Sequence, residues 1–398
     1  MWPIRQLLSP NLYFSLTGKE PAVFIAKTIS GEMMFYLPTR IIFAEHAMQT
    51  AAEHIASLGR KALIVCGKTS AKTSGALDEL LEVLQQSKMD WVEFAQVGEN
   101  PDIHTVIRGK ELLVKEVCDL VIAIGGGSPI DAAKAISLAA ANDLKADEIY
   151  NVSLMHKAYP IIAIPTTAGT GSEVTQYSVL TIPEQKRKAG FGTDLAFPKL
   201  AILDPRYTLS LPEKVTLHTA IDALSHLLEG IYSVNRNPHL TLLIYRGIDN
   251  IIKYLSPCLK EPKHLLYRKS LMMASLYGGM TIAHSSTTLQ HSIGYPLTSE
   301  FDIPHGLANG MVMQQIMDLY YPALQAELDA LFQYLKISRE YFYAWLDGFP
   351  LAAQVPMPDE MLEAKIPEIM SSRNMANNPI DVGAEDIRRI LKSLQKDQ

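Results

Sequence analysis

Asp222 and His226 stand four residues apart in TAIDALSHLLEGIYS, a spacing that stacks two side chains on one face of a helix. A carboxylate oxygen and an imidazole nitrogen so placed can share one cation, or can form nothing more than an ion pair. His218 is also four residues from Asp222, so spacing does not choose the partner. Further on, LQHSIGYPLTSEFDIPHG carries His291 and His305, separated by a Pro, a Thr-Ser-Glu break and a second Pro. His284 lies seven residues before His291, which predicts one shared helix with both on the same face. Asp222, His218, His226, His284, His291 and His305 therefore admit several constellations. One carboxylate with three imidazoles suits Fe²⁺ or Zn²⁺. Cys66, Cys118 and Cys258 are far apart and form no CxxC pair, which disfavours a thiolate metal site and reads as buried thiols in a reducing compartment.

A second set of residues could hold an anion. VIAIGGGSPIDAAKAI places Gly125, Gly126 and Gly127 between an apolar run and a helical pattern, where backbone without Cβ atoms and the free N–H groups of a helix start can meet a diphosphate. The local pattern predicts Ser128 as N-cap, Pro129 at the first helical position and Asp131 completing a capping box. The loop is neither GxGxxG nor GxxxxGK[ST], so the common nucleotide fingerprints add nothing. PTTAGTGSEVT supplies Thr166, Thr167, Thr170 and Ser172 after the next apolar run. In a parallel sheet both loops leave the same carboxyl edge, and together they point to a dinucleotide.

These groups need a scaffold. KALIVCG, CDLVIAIGGG and YPIIAIPTT read as buried parallel strands, and 74–87 and 102–116 as helices between them. From about 214 onward the chain is long amphipathic stretches broken by Pro and Asn, which predicts an all-helical second part. The expected division is an N-terminal extension over 1–33, an α/β dinucleotide-binding domain over 34–205, and an all-helical metal-binding domain over 206–398. Two prolines between Asp204 and Pro212 make that stretch the linker candidate.

At 398 residues the chain is long enough for two cores. Hydrophobic residues make up 48 % and charged residues 20 %, with a net charge of -6, which gives nucleic acid no basic surface to bind and points to a small substrate. No run of 18 apolar residues occurs, and the N-terminal segment is interrupted by Pro and charge, so neither a membrane span nor a signal peptide is expected and the location is read as cytoplasmic.

With these motifs in hand, the chain resembles the iron-containing, group III alcohol dehydrogenases. The resemblance runs from about Met34 nearly to the end: ENP (99–101), GGGSPIDAAKA (125–135), PTTAGTGSEVT (165–175), LDPRYTLSLP (203–212), DALSH with Glu229, and HSIGYPL with PHG (291–306). It implies an α/β dinucleotide-binding domain followed by a helical domain, as in dehydroquinate synthase-like proteins, with the active site in the cleft. It implies Asp222, His226, His291 and His305 as metal ligands and no such role for His218 or His284. It places Asn100, Gly126, Gly127 and Ser128 toward the diphosphate, with Thr166, Thr167 and Thr170 beside them and Lys188 near the ribose. The implied reaction is reversible hydride transfer between a primary alcohol or aldehyde and nicotinamide, with Fe²⁺, or Zn²⁺ in its place, as Lewis acid. A homodimer is implied as well.

Three positions depart from the pattern. Family members that prefer NAD(H) tend to carry Asp at the end of the second strand, where it bonds the ribose 2′-hydroxyl. Here Gly67, Lys68, Thr69 and Ser70 follow Cys66, so NADP(H) is favoured over NAD(H). Tyr295 replaces the second histidine of an HxxxH motif, and its ordinary pKa of about 10 makes it a poor proton exchanger at neutral pH. Ile380 in NNPID replaces a residue that is often basic. The rival readings are a glycerol dehydrogenase-like polyol enzyme, a dehydroquinate synthase-like lyase, and a nucleotide-binding scaffold without turnover.

Overall fold

In the computed structural model the described residues are 34–183, 187–352 and 354–395, so the expected extension over 1–33 lies outside them. The chain divides into Met1–Phe35 and Tyr36–Gln398, and the architecture below is that of the second unit. Strands β1 (Arg40–Phe43), β2 (Lys61–Cys66), β3 (Asp90–Phe94), β4 (Leu120–Gly125) and β5 (Ile161–Pro165) precede an antiparallel hairpin, β6 (Tyr177–Ile182) with β7 (Arg187–Gly192), and β8 (Leu200–Leu203). All but the hairpin join one parallel sheet in the order β1-β8-β5-β4-β2-β3.

The sheet is covered on both faces, as its apolar strands require. Helices α1 (Ala47–Leu58), α2 (Ser70–Thr73), α3 (Ala76–Gln86), α4 (Ile103–Lys115) and α5 (Gly127–Ala141) fill the connections. Alternate residues serve the two sides: Leu63, Val65, Val121 and Ala123 pack with α4 and α5, whereas Ala62, Ile64, Ile122 and Ile124 pack with α1 and α3. After β2 the chain crosses outward to β3, and after β4 it crosses the other way to β5. The carboxyl ends of β2 and β4 thus flank a switch point, where such sheets bind ligands.

Nine helices follow among the described residues: α6 (Glu213–Tyr232), α7 (Thr241–Lys260), α8 (Leu265–Ser285), α9 (Leu289–Phe301), α10 (His305–Met311), α11 (Met313–Leu335), α12 (Arg339–Asp347), α13 (Asp359–Met370) and α14 (Ala384–Leu394). Every residue of α6 from Ala220 to Tyr232 is buried, because α7, α8 and α10 surround it. The fold is therefore a parallel α/β sheet followed by a helical part, as expected.

Several local expectations are corrected. The N-cap of α5 is Gly126, not Ser128, and Asp131 makes no capping box; its carboxylate accepts from Ser172 Oγ at 2.5 Å and Val179 N at 3.0 Å. Tertiary donors outbid the local cap. His284 and His291 do not share a helix, since Ser286 adopts φ 56° and ends α8. Nor does Pro296 or Thr-Ser-Glu break the chain, because α9 continues to Phe301; a proline costs one ladder bond, and α9 is buried along most of its length. Apart from these corrections, the linker candidate Asp204–Pro212 packs against the α/β part. Asp204 is buried and its Oδ2 accepts from Ala47 N at the start of α1 at 3.3 Å, while Arg206 bridges Asp204 and Glu79 of α3.

Candidate metal and dinucleotide site

The second half of α6 supplies Asp222, His226 and Glu229 to one face. The chain then returns α9 with His291 and α10 with His305 at its first position, preceded by Pro304. Gly306 allows this approach: a Cβ there would lie 1.8 Å from the His218 carbonyl oxygen. Ligand atoms of Asp222, His226 and His291, all buried, lie within 4.8 Å of one another. His226 Nε2 and His291 Nε2 are 3.1 Å apart, and His305 Nε2 is 3.8 Å from Asp222 Oδ1.

The protonation of these groups follows from their partners. Burial alone would lower the His291 pKa, but the Glu229 carboxylate against its Nδ1, with Asp222, raises it. Glu229 accepts only, so Nδ1 carries a proton, and Nε2 is the ring nitrogen turned toward His226. Burial lowers the pKa of His226 and pushes that of His305 down to about 3. The burial of Asp222 is outweighed by the surrounding histidines and Asn309, and its carboxyl is held below the usual range. Asp222, His226 and His291 lie close enough together to share one divalent cation, with His305 beside Asp222, and imidazole with carboxylate suits Fe²⁺ or Zn²⁺.

His218 and His284 stay out of this cluster. The His284 ring is fixed by backbone, with Nδ1 donating to the Met280 carbonyl at 2.7 Å and Nε2 accepting from Tyr36 N at 3.1 Å. Two residues that sequence reasoning gave no site role belong here. Asn309 Nδ2 is 3.0 Å from Asp222 Oδ1, 3.2 Å from His291 Nε2 and 3.3 Å from His305 Nε2. Its side chain reaches the cluster because Gly294 lacks a Cβ, which would stand 2.1 Å from Asn309 Oδ1. Glu229 also takes Thr288 N at 2.6 Å and Thr288 Oγ1 at 2.8 Å. Its position seven residues after Asp222 on an all-buried helix was the available signal.

Tyr295, one turn after His291, stacks its ring on His305 at 5.4 Å and presents an edge to His291 at 6.1 Å. Burial and the carboxylates of Glu229, Asp222 and Asp131 push its pKa well up, and Asn374 bonds its hydroxyl. The hydroxyl stays protonated at every physiological pH.

A cavity of about 610 Å³ joins this cluster to the sheet edge, lined by Asn100, Ser128, Asp131, Thr170, Ser172 and Lys188 together with Asp222, His226, His291, Tyr295 and His305. Gly67, Thr69, Gly126, Gly127, Thr166 and Thr167 are not on that lining. Gly67 and Thr69 follow β2, and Gly126 and Gly127 follow β4, at the switch point. The glycines there also serve packing: a Cβ on Gly126 would meet Thr167 at 3.2 Å, and one on Gly127 would meet Thr170 at 2.8 Å. Asn100, at φ 54°, donates its N–H to Ser128 Oγ at 3.3 Å, and its Oδ1 accepts from Lys188 Nζ at 2.5 Å. Burial lowers the Lys188 pKa to about 8 against the pull of Asp222, Asp131 and Glu99.

Lys134 ties the two loops together. It is fully buried, and Nζ donates to Ser172 Oγ at 2.8 Å, Thr175 Oγ1 at 3.2 Å and the Tyr177 carbonyl at 2.7 Å. The threonine loop in turn meets the helical part closely, since a Cβ on Gly171 would sit 2.3 Å from Gly279 Cα of α8. Sheet edge and metal helices are thus held as one wall.

A parallel sheet with a dinucleotide-type edge beside a carboxylate and three histidines defines a metal-dependent oxidoreductase architecture. The chain belongs to the iron-containing alcohol dehydrogenase family: residues 38–205 match the model for iron-containing alcohol dehydrogenase, and 216–395 match the C-terminal model of the same family. It is 33 % identical to the long-chain primary alcohol dehydrogenase AdhA of Thermoanaerobacter ethanolicus over 66 % of each chain. An iron-containing alcohol dehydrogenase structure from Thermotoga maritima superposes with TM-score 0.86 at 36 % identity, covering 91 % of this chain and 99 % of that one. The NADH-dependent butanol dehydrogenase A of the same organism gives 0.80 at 25 % identity over 91 % and 98 %. Among the described residues no helix is long and apolar enough to cross a membrane.

Proposed function

We propose that the chain is a metal-dependent, NADP(H)-linked alcohol dehydrogenase and aldehyde reductase that interconverts a primary alcohol and its aldehyde. The observation that carries this is the convergence of Asp222, His226, His291 and His305 in the same cavity as Asn100, Ser128 and Lys188. Asp222 and the three histidines hold the cation. When bound, it supplies Lewis acidity at the substrate oxygen, and nicotinamide supplies or accepts the hydride.

The remaining work falls to the chain's own groups. Glu229 keeps the His291 proton on Nδ1 and turns Nε2 inward. Asn309 steadies the Asp222 oxygen. Tyr295 narrows the cavity over His305, and its hydroxyl oxygen, bonded by Asn374, keeps its proton. Lys134 fixes the distance between the glycine and threonine loops, and Lys188 offers a cation beside Asn100. The 2′-phosphate preference rests on Gly67, Lys68 and Thr69: no acid ends β2, and Lys68 and Thr69 are exposed there. A carboxylate at this point would bond a 2′-hydroxyl and repel a 2′-phosphate.

The test is oxidation of NADPH and of NADH with butyraldehyde by protein reconstituted anaerobically with Fe²⁺ or Zn²⁺. Turnover with a lower KM for NADPH is expected. A strong preference for NADH would overturn the cofactor assignment, and no turnover of any aldehyde or alcohol would overturn the enzyme reading.

A further inference from the structure

Beside Tyr295 the cavity is also lined by a wall formed by the last turn of α13 and residues 371–374, which lead into and begin the 3-10 turn Arg373–Asn377. This wall is tied to the metal cluster by two contacts. Ser292 Oγ, on the residue after His291, donates to Ser372 Oγ at 3.0 Å. Asn374 bonds the hydroxyl of Tyr295, whose ring lies on His305.

The wall is polar, with Ser371, Ser372 and Asn374 beside two charges, Glu368 and Arg373. Glu368 is already answered, because Lys365 Nζ donates to it at 2.9 Å and to Glu300 at 2.7 Å. Arg373 is exposed, and no carboxylate among the described residues lies within ion-pair distance of it. Other charges on the lining are committed: Lys188 to Asn100, and Asp131 to Ser172 and Val179. Arg373 also stands on the α9 side, whereas cofactor phosphates belong at the ends of β2 and β4.

A guanidinium with uncommitted donors matches a carboxylate in fork geometry and draws anions into a cleft. We propose that Arg373 is a specificity-determining residue that selects aldehydes bearing a terminal carboxylate over aliphatic aldehydes of equal length, an inference that rests on the aldehyde reductase reading above. Such substrates must come from reactions that release semialdehydes, and their products are ω-hydroxy acids.

The experiment compares succinic semialdehyde with butyraldehyde, both four-carbon aldehydes, on metal-loaded wild type, Arg373→Gln and Arg373→Lys at saturating NADPH. Wild type should prefer the semialdehyde. Arg373→Gln should lower kcat/KM for it about tenfold, as expected for one charge-assisted contact, and leave butyraldehyde within about twofold; Arg373→Lys should recover part of the loss. A wild-type preference for butyraldehyde, an equal loss on both substrates, or an unchanged kcat/KM for the semialdehyde in Arg373→Gln would overturn the proposal. Should neither aldehyde be turned over, calorimetric titration of 4-hydroxybutyrate into the NADP⁺-saturated protein decides Arg373 independently of the enzyme reading. Binding weakened about tenfold in Arg373→Gln supports the contact; equal binding refutes it.

Discussion

Glu229→Gln tests whether a neutral look-alike can hold His291 in the tautomer a cation needs. In the native chain, Thr288 N, Thr288 Oγ1 and His291 N all point at Glu229 Oε1, and His291 Nδ1 points at Oε2. Glutamine must keep its carbonyl oxygen where three donors converge, so its NH₂ group replaces Oε2. Two donors would then face each other across the His291 contact. The imidazole escapes only by moving its proton to Nε2, the atom turned toward Asp222 and His226, and a protonated nitrogen cannot ligate a metal. A hydrogen bond to a buried charge contributes about 1.5–3 kcal/mol, which at 1.4 kcal/mol per tenfold is roughly 10- to 100-fold in metal affinity. The assay is competition for Zn²⁺ against a chromophoric chelator at constant pH. Thr288→Val removes one donor and keeps the carboxylate charge, so it should cost less than about fivefold. An affinity in Glu229→Gln within about twofold of wild type would refute the reasoning.

Other perturbations separate packing from chemistry. Tyr295→Phe should leave kcat/KM within about threefold, because a hydroxyl that stays protonated moves no proton; steady-state kinetics across pH 6–9 would show a lost limb were this wrong. Asp204→Ala should destabilise the chain by about 2–4 kcal/mol in urea unfolding, since it removes the acceptor at the start of α1 and the buried half of a partly buried ion pair with Arg206. Burial raises the Glu173 pKa to about 7, against its own backbone and Lys134. A carboxyl with its folded pKa raised stabilises below its unfolded value near 4.5 and loses that contribution as pH rises toward 7. Glu173→Gln should therefore gain on wild type between pH 4.5 and 7.5 by on the order of 3 kcal/mol; parallel stability curves would contradict the assignment.

Much of this site was legible because its signals are local. The apolar runs ending at Cys66, Gly125 and Pro165 carry their own strand signature, and Asp222 with His226 needs only helical spacing. What escaped depended on partners distant in sequence. Ser128 had the right neighbours for an N-cap, but Asp131 is claimed by Ser172 and Val179, 41 and 48 residues away. Asn309 reads as a polar helix residue until Gly294 opens room for it. The break at Ser286 and the continuous helix through Pro296 reverse the usual local rules, because the burial of α9 outweighs the lost ladder bond. Spacing alone left His284 open as one of several candidates; its two backbone bonds show a structural use that no periodicity encodes.

If Asp222, His226, His291 and His305 hold one catalytic cation, as proposed, metal content and turnover must rise and fall together. Equilibrium dialysis of Fe²⁺ and Zn²⁺ under anaerobic conditions, paired with NADPH oxidation on the same samples, tests it in wild type and Asp222→Ala. One ion per chain is expected in wild type, with activity proportional to occupancy and both lost in the variant. Turnover that survives complete metal removal, or unchanged stoichiometry in Asp222→Ala, would contradict it.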